Sequence, residues 1–388
     1  MKSRNILRRL YRGVAFAALL CIVACKHDND DSNSPLPSAR EYKEKTGLLA
    51  VFYAPNSRGD RAYVDTLAVG ASKAANTNNL LLAQYEPSGW DKVSESFDTA
   101  LLIASKMQEK NKKSLFIFAD KGYSSFIAEN SAKIASYAAK GVTFLFGESK
   151  QAPTQNVHTF YVPTYGIRYE AGVLADRLVE YRNLGEYEKV LILLANSQDL
   201  TLRESADAFI DGFCNSKVRG TPDDVVWLSA YNDETIESFS EDKYLFVLPL
   251  SDVAGEGFDK QELLYDLGKA RNFLDLGIRL IFPLCGGSIH GLLRYNREET
   301  DIFWTIGMDT DRQAYSMDVP FSVVTHIDLV IENCVSKWYN SALPQHQSFG
   351  LSENYTEIIL SEFYEDKLEE KLKEVHQSAI EKELEHEK

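Results

Sequence analysis

The sequence predicts an α/β protein built as two doubly wound, Rossmann-like lobes, and three observations carry that expectation. From Gly47 onward, short apolar runs of strand length alternate with longer segments of helical period, which is the pattern of strand–helix–strand units and parallel sheets. The runs are apolar at consecutive positions, as in strands buried on both faces. The alternation continues through a chain of 388 residues, more than one such sheet needs.

In order, strands are expected at 48–53 (LLAVFY), 80–85, 115–119 (LFIFA), 142–146 and 157–161, with helices at 62–75, 97–109 and 125–140 between them. The second half repeats the pattern. A helix at 168–181 places Ala171, Leu174, Ala175, Leu178 and Val179 on one face. Strands follow at 189–195, 225–230 and 244–249, with a helix at 202–213 and another ending near Leu276. Then come a strand at 278–283 (IRLIFP), the turn Cys285-Gly286-Gly287-Ser288, a helix opening at Gly291, and a strand at 302–308 that ends in Asp309-Thr310-Asp311. A helix at 326–338 and a strand at 354–360 complete the fold; 366–388 reads as a charged, solvated tail.

The first 24 residues belong to no lobe. Lys2, Arg4, Arg8, Arg9 and Arg12 precede an apolar run from Gly13 to Ala24, too short to span a bilayer comfortably, which reads as a secretory signal. The run ends Ile22-Val23-Ala24-Cys25 and resembles a bacterial lipobox, so Cys25 is the expected lipidated N-terminus. Residues 25–43, polar and acidic with Pro35 and Pro37, are expected to form a flexible tether to a membrane of the bacterial cell envelope, on the periplasmic face or the cell surface. Removal of residues 1–24 takes away five positive charges and no acid, so the net charge of −15 becomes −20. Such a surface repels phosphate backbones and argues against nucleic-acid binding. Of the remaining cysteines, Cys214, Cys285 and Cys334 are far apart and set in apolar patterns, which suits buried thiols.

In open α/β sheets ligands lie outside the carboxyl ends of the strands. Asp60 and Tyr63 leave the first strand, Asp120 the third; Asn232 and Asp233 follow the strand at 225–230, and Asp309 ends the strand at 302–308. Gly286 and Gly287 let a backbone approach a ligand closely. Each also has a plainer reading: Asp60 and Asp309 as caps, Tyr63 as packing for a first helical turn, the glycines as a tight turn. No constellation for catalysis is visible. Gly286-x-Ser288-x-His290 departs from a nucleophile elbow because His290 stands where the second glycine belongs, and the histidines lack metal-ligand spacing. Neither an enzyme, a cofactor nor a metal is expected.

The segment Gly277-Ile-Arg-Leu-Ile-Phe-Pro-Leu-Cys-Gly-Gly-Ser-Ile-His-Gly-Leu-Leu resembles a signature of the basic membrane protein family, lipoprotein substrate-binding components of ABC importers. Gly307-Met-Asp-Thr-Asp-Arg is similar to that family's G-v-D-s-D-Q, with Arg312 for the glutamine. Asn56-Ser-Arg-Gly-Asp-Arg-Ala-Tyr-Val, Tyr169-Glu-Ala-Gly-Val-Leu-Ala, Phe209-Ile-Asp-Gly-Phe and Tyr231-Asn-Asp fall in the family's order. The resemblance implies a type I periplasmic binding protein fold, with lobes of 45–165 plus 318–343 and 166–317 plus 344–365. It also implies a purine nucleoside in the cleft, Tyr63 stacked on the base, Asp309 on the ribose hydroxyls, and an ABC permease as partner. Val64 stands in place of an asparagine and Thr325 in place of a lysine, so a modified nucleoside or a sugar is an alternative ligand. A surface lipoprotein using the same fold for adhesion is the alternative of a different class.

Overall fold

The computed structural model describes residues 36–181, 189–196, 198–215, 225–228, 243–250, 264–266, 276–299 and 303–388. Cys25, Asn232, Asp233, the signal segment and most of the tether lie outside the described residues, as does most of 238–260.

The first half opens with α1 (Ala39–Glu44), begun by a Ser38–Glu41 capping box, and then alternates β1 (Gly47–Phe52), α2 (Tyr63–Thr77), β2 (Leu81–Tyr85), α3 (Val93–Gln108), β3 (Lys113–Phe118), α4 (Ser124–Glu129), α5 (Ser131–Ala138), β4 (Val142–Phe146) and β5 (Val157–Tyr161). The second half runs α6 (Tyr165–Tyr181), β6 (Lys189–Leu194), α7 (Leu200–Asn215), β7 (Val225–Trp227), β8 (Leu245–Pro249), β9 (Ile278–Leu284), α8 (Ile289–Glu298), β10 (Trp304–Thr305) and β11 (Gly307–Asp309). The chain then crosses through β12 (Phe321–Thr325), α9 (Ile327–Tyr339), β13 (His346–Ser348) and β14 (Thr356–Leu360) to a final helix, α10 (Glu365–His386).

Two all-parallel sheets result, ordered β13-β5-β4-β3-β1-β2 and β10-β9-β6-β8-β7. β1, β6 and β8 are buried along their whole length, in keeping with their largely apolar runs. A third, small sheet (β11-β12-β14) joins them, with β11 parallel and β14 antiparallel to β12.

Several expectations are corrected. The strand expected at 302–308 breaks at Ile306: β10 pairs with β9, whereas β11 leaves that sheet and pairs with β12. β12, expected in the first lobe, puts Phe321 and Val323 into the core of the second, beside Met308 and Phe282. α9 and the residues just after it do pack on the first lobe, where the missing side chain of Gly70 admits Asp328: a Cβ there would stand 2.5 Å from the Asp328 Cα. β13, expected in the second lobe, is the edge strand of the first sheet, with His346 opposite Thr159. The tether ends earlier than expected, because Tyr42 of α1 is buried in the first lobe and Lys112 donates to the carbonyls of Tyr42 (2.8 Å) and Lys43 (2.7 Å).

The charged tail is also a structural element. α10 buries Leu368, Val375 and Ala379 in the core of the second lobe against α6. The apolar positions are few and widely spaced, so its sequence reads as solvated, yet one narrow stripe is enough to dock it. Ion pairs tie its polar flanks down, Lys382 to Asp211 of α7 (3.0 Å) and Glu387 to Lys150 beyond β4 (2.9 Å). Glu383 is buried and accepts from the Leu351 N–H at 2.8 Å, and His376 meets the buried Glu170 at 3.0 Å.

Candidate functional site

The carboxyl ends of the strands in both large sheets open onto one cavity of about 330 Å³. From the first lobe come Ser57, Asp60, Tyr63 and Val64 after β1, Asp120 and Lys121 after β3, and Glu148 after β4. From the second come Arg168 in the first turn of α6, Asp199 and Thr201 after β6, Gly286 and Gly287 after β9, and Asp309 at the end of β11; Thr325 at the end of β12 closes the ring. A second compartment of about 230 Å³ shares Tyr63, Asp120 and Glu148 with it and adds Tyr53 and Tyr161. Six of the residues singled out from the sequence (Asp60, Tyr63, Asp120, Gly286, Gly287 and Asp309) thus share one space.

Their roles differ. Asp60 has both oxygens occupied at the start of α2: Oδ1 accepts from the Ala62 and Asp65 amides (2.9 and 3.1 Å) and Oδ2 from that of Val64 (2.9 Å). Burial raises its pKa and these bonds oppose the rise, so the geometry favours the plainer reading of Asp60 as a cap. Asp120 accepts from the Gly122 amide at 2.6 Å, and burial raises its pKa too. Gly286, at φ +51°, starts the turn into α8, a left-handed conformation that glycine adopts without strain.

Asp309 adopts φ +64° and Glu148 φ +57°, both uncommon for residues with a side chain, and both reach the cavity. Non-glycine residues held in such regions cluster where function over-determines the backbone. Among the described residues no donor reaches the Asp309 carboxylate. Tyr63 keeps its ring on the cavity wall while its hydroxyl donates to Glu148 Oε1. Burial raises the Glu148 pKa to about 7, the Tyr63 bond opposes this, and the charges of Asp120 and Asp309 reinforce it.

Three features were missed by sequence reading. Arg168 is 5% exposed; its Nη1 donates to Met308 Sδ at 3.4 Å and its Nε has no partner. Burial lowers its pKa and the Asp309 charge opposes that. An arginine in the first turn of an otherwise apolar helical face was the available signal. Glu148, two residues past the end of β4, stands at the same topological position as Asp120 after β3. The third is a bridge: Lys121 Nζ, from the first lobe, donates to Asp199 Oδ1 (2.8 Å), Asp199 Oδ2 (2.7 Å) and Thr201 Oγ1 (3.3 Å) of the second. Arg312, fully buried, adds another, donating from Nη1 to the Arg61 carbonyl at 2.9 Å and from Nε to that of Met308 at 3.1 Å.

Ser288 and His290 form no catalytic pair. The Ser288 hydroxyl is buried without a partner, and His290 Nε2 faces Arg312 at 3.3 Å, with its pKa lowered to about 4 by burial and by the Arg312 charge. Among the described residues no group of three or more His, Cys, Asp or Glu is placed to hold a metal ion.

No protein-family model matches the sequence, and no curated protein matches it. Solved structures match over most of the chain. An ABC transporter solute-binding protein from Aeropyrum pernix K1 is 13% identical with a TM-score of 0.60, over 87% of this chain and 86% of that one. A transcriptional activator of the comK gene from Bacillus halodurans is 11% identical with a TM-score of 0.59, over 86% and 98%. A solute-binding protein from Conexibacter woesei DSM 14684 is 13% identical with a TM-score of 0.53, over 85% and 95%. At these identities the likeness is one of fold, and the fold is that of the type I periplasmic binding proteins. The similarity to the basic membrane protein family rests on the motifs alone.

Proposed function

We propose that this protein is a solute-binding lipoprotein, anchored at Cys25 in the bacterial cell envelope, that captures a purine nucleoside between its lobes for an ABC-type importer. One observation supports this most directly: the Tyr63 ring and the unclaimed Asp309 carboxylate, contributed by opposite lobes, face the same cavity. A ring offers a stacking surface for a base, worth about 1–3 kcal/mol. A free carboxylate accepts two hydroxyl hydrogens, as a ribose presents. Ligand contacts on both walls favour the closed lobes and shift the population toward them.

A sugar is the second reading. Arg168 and Asp309 set a donor beside an acceptor, and vicinal hydroxyls satisfy such a pair without a base. Thermal unfolding of a chain beginning at Pro37, stripped of carried ligand by a denaturing wash, separates the two. A ligand at about a thousand times its dissociation constant stabilises by about 4 kcal/mol. A shift with inosine, guanosine or adenosine, absent with pentoses and abolished by Tyr63→Ala, supports the nucleoside. A shift with free sugars that survives Tyr63→Ala replaces it with the sugar.

A further inference from the structure

We propose that the solute carries a protonated amine, lodged between Asp120 and Glu148 against the Tyr63 ring, with its hydroxyl oxygens turned toward Arg168. The inference rests on the solute-binding reading and specifies its ligand: an aminated polyol, either an amino sugar or a nucleoside with an amine on its sugar.

The charges on the cavity wall lead there. On the second lobe, Arg168 stands in the field of Asp309. On the first lobe, Lys121 spends its ammonium on both oxygens of Asp199 and on Thr201. Asp120 and Glu148 are left with no cation within ion-pair distance among the described residues. Asp120 receives one backbone N–H and Glu148 one phenolic O–H. Asp309 stands across the cleft, close enough for its charge to act on both Tyr63 and Glu148. The Lys121 charge acts on both from its place beside Asp199, but neither has an ion-pair partner of its own, so closing the lobes over a neutral ligand would enclose two carboxylates at a cost that a proton or a cation relieves.

Arg168 is the independent sign that a ligand completes this wall. A guanidinium 5% exposed, with an orphan Nε and only a thioether as acceptor, lines the same cavity and lacks an oxygen that the protein does not supply. The two ends therefore ask for different atoms, a cation at Asp120 and Glu148 and oxygen acceptors at Arg168. An ammonium over the Tyr63 ring is also favourable in its own right.

The sign of the pH dependence decides between cation and proton. Glu148 faces Tyr63 of α2, Asp120 and Lys121 after β3, Tyr161 at the end of β5, and Asp309 at the end of β11. Its pKa is raised to about 7. An ammonium needs it ionised, so affinity for an amine rises as pH climbs toward that value. A neutral ligand needs it protonated, so its affinity falls over the same range.

The test is titration calorimetry on the full chain with matched pairs, glucosamine against glucose and 3′-amino-3′-deoxyadenosine against adenosine, at about pH 5.5 and about pH 7. The amine member is expected to bind at least about tenfold tighter than its hydroxyl partner, and several-fold tighter at the higher pH. Glu148→Gln, which keeps an oxygen for Tyr63, is expected to erase the pH dependence and most of the amine preference while hydroxyl partners still bind. The pair that responds tells amino sugar from aminonucleoside. Hydroxyl partners that bind as tightly as the amines, or amine affinity that falls as pH rises, overturn the inference and leave the solute-binding reading standing. Failure of all four compounds overturns the inference as well, and failure of the wider nucleoside and sugar panel then removes the solute-binding reading too.

Discussion

Ending the chain at Tyr364 removes α10, and its packing predicts a large loss of stability. Leu368 and Ala379 are fully buried and Val375 is 6% exposed. Burial of a leucine or valine side chain contributes about 1.5–3 kcal/mol, so the three residues together account for about 4–5 kcal/mol. The Leu351 N–H loses the Glu383 carboxylate, a further loss of about 1 kcal/mol. The surface ion pairs at Lys382 and Lys150 contribute little beside these, because both lysines are close to half exposed. The total, about 5–6 kcal/mol, is comparable with the whole stability of many domains. Urea unfolding of chains ending at Tyr364 and at Lys388 measures it, read as the difference in extrapolated unfolding free energy, with a smaller slope for the shorter chain because it exposes less surface. A change below about 1 kcal/mol would refute the packing account and return 366–388 to a solvated tail. Truncation is consequently a poor way to distinguish a solute binder from an adhesin, since it loosens the fold itself.

Three other perturbations follow from the geometry. Burial raises the pKa values of Glu170 and Glu383 to about 7, from an unfolded value near 4.3, so the folded chain holds more protons than the unfolded one across that window. Stability should therefore fall as pH rises from about 5 to about 7, and Glu383→Gln should flatten the fall; melting temperatures that climb instead would contradict it. Gly212→Ala gains about 1 kcal/mol in helix propensity but puts a Cβ 1.9 Å from the Tyr169 carbonyl oxygen, so α6 and α7 must part. The clash wins, and denaturant unfolding should register about 3 kcal/mol of destabilisation; a neutral result would mean the helices are not in contact there. Arg168→Met deletes a buried guanidinium without a carboxylate partner, so the ligand-free protein should melt higher while affinity falls about a hundredfold. Calorimetry and melting together check the two opposite signs, and unchanged affinity would remove Arg168 from the site.

Much of this was legible because parallel strands announce themselves. The runs at 48–53 and 189–195 are apolar at nearly every position, and both form interior strands. The carboxyl ends of the runs at 115–119 and 302–308 located Asp120 and Asp309 in the same way, without reference to tertiary contacts. The glycines of two resemblance motifs turn out to be packing positions. Gly172 and Gly212, in the segments Tyr169-Glu-Ala-Gly and Phe209-Ile-Asp-Gly, seat α6 against α7, and a Cβ on Gly172 would stand 2.1 Å from the Phe209 carbonyl oxygen. They report packing, not binding. Illegible were the features set by distant partners. Whether β13 pairs with β5 or with the second sheet is decided by crossings that leave no periodicity, and Glu148 becomes unusual only once Tyr63, Asp120 and Asp309 close around it.

The placement of β13 carries over to how the protein is made. The edge of the first sheet, and α9 on its flank, come from residues 327–348, although β1 to β5 are complete by residue 161. A nascent chain that has produced β5 still exposes the flank that β13 will cover and the apolar α2 surface that α9 will seal. The first lobe must wait for nearly the whole of the second to be synthesised before it can close. An early fragment is then aggregation-prone, and a nonsense mutation anywhere before His346 damages both lobes at once.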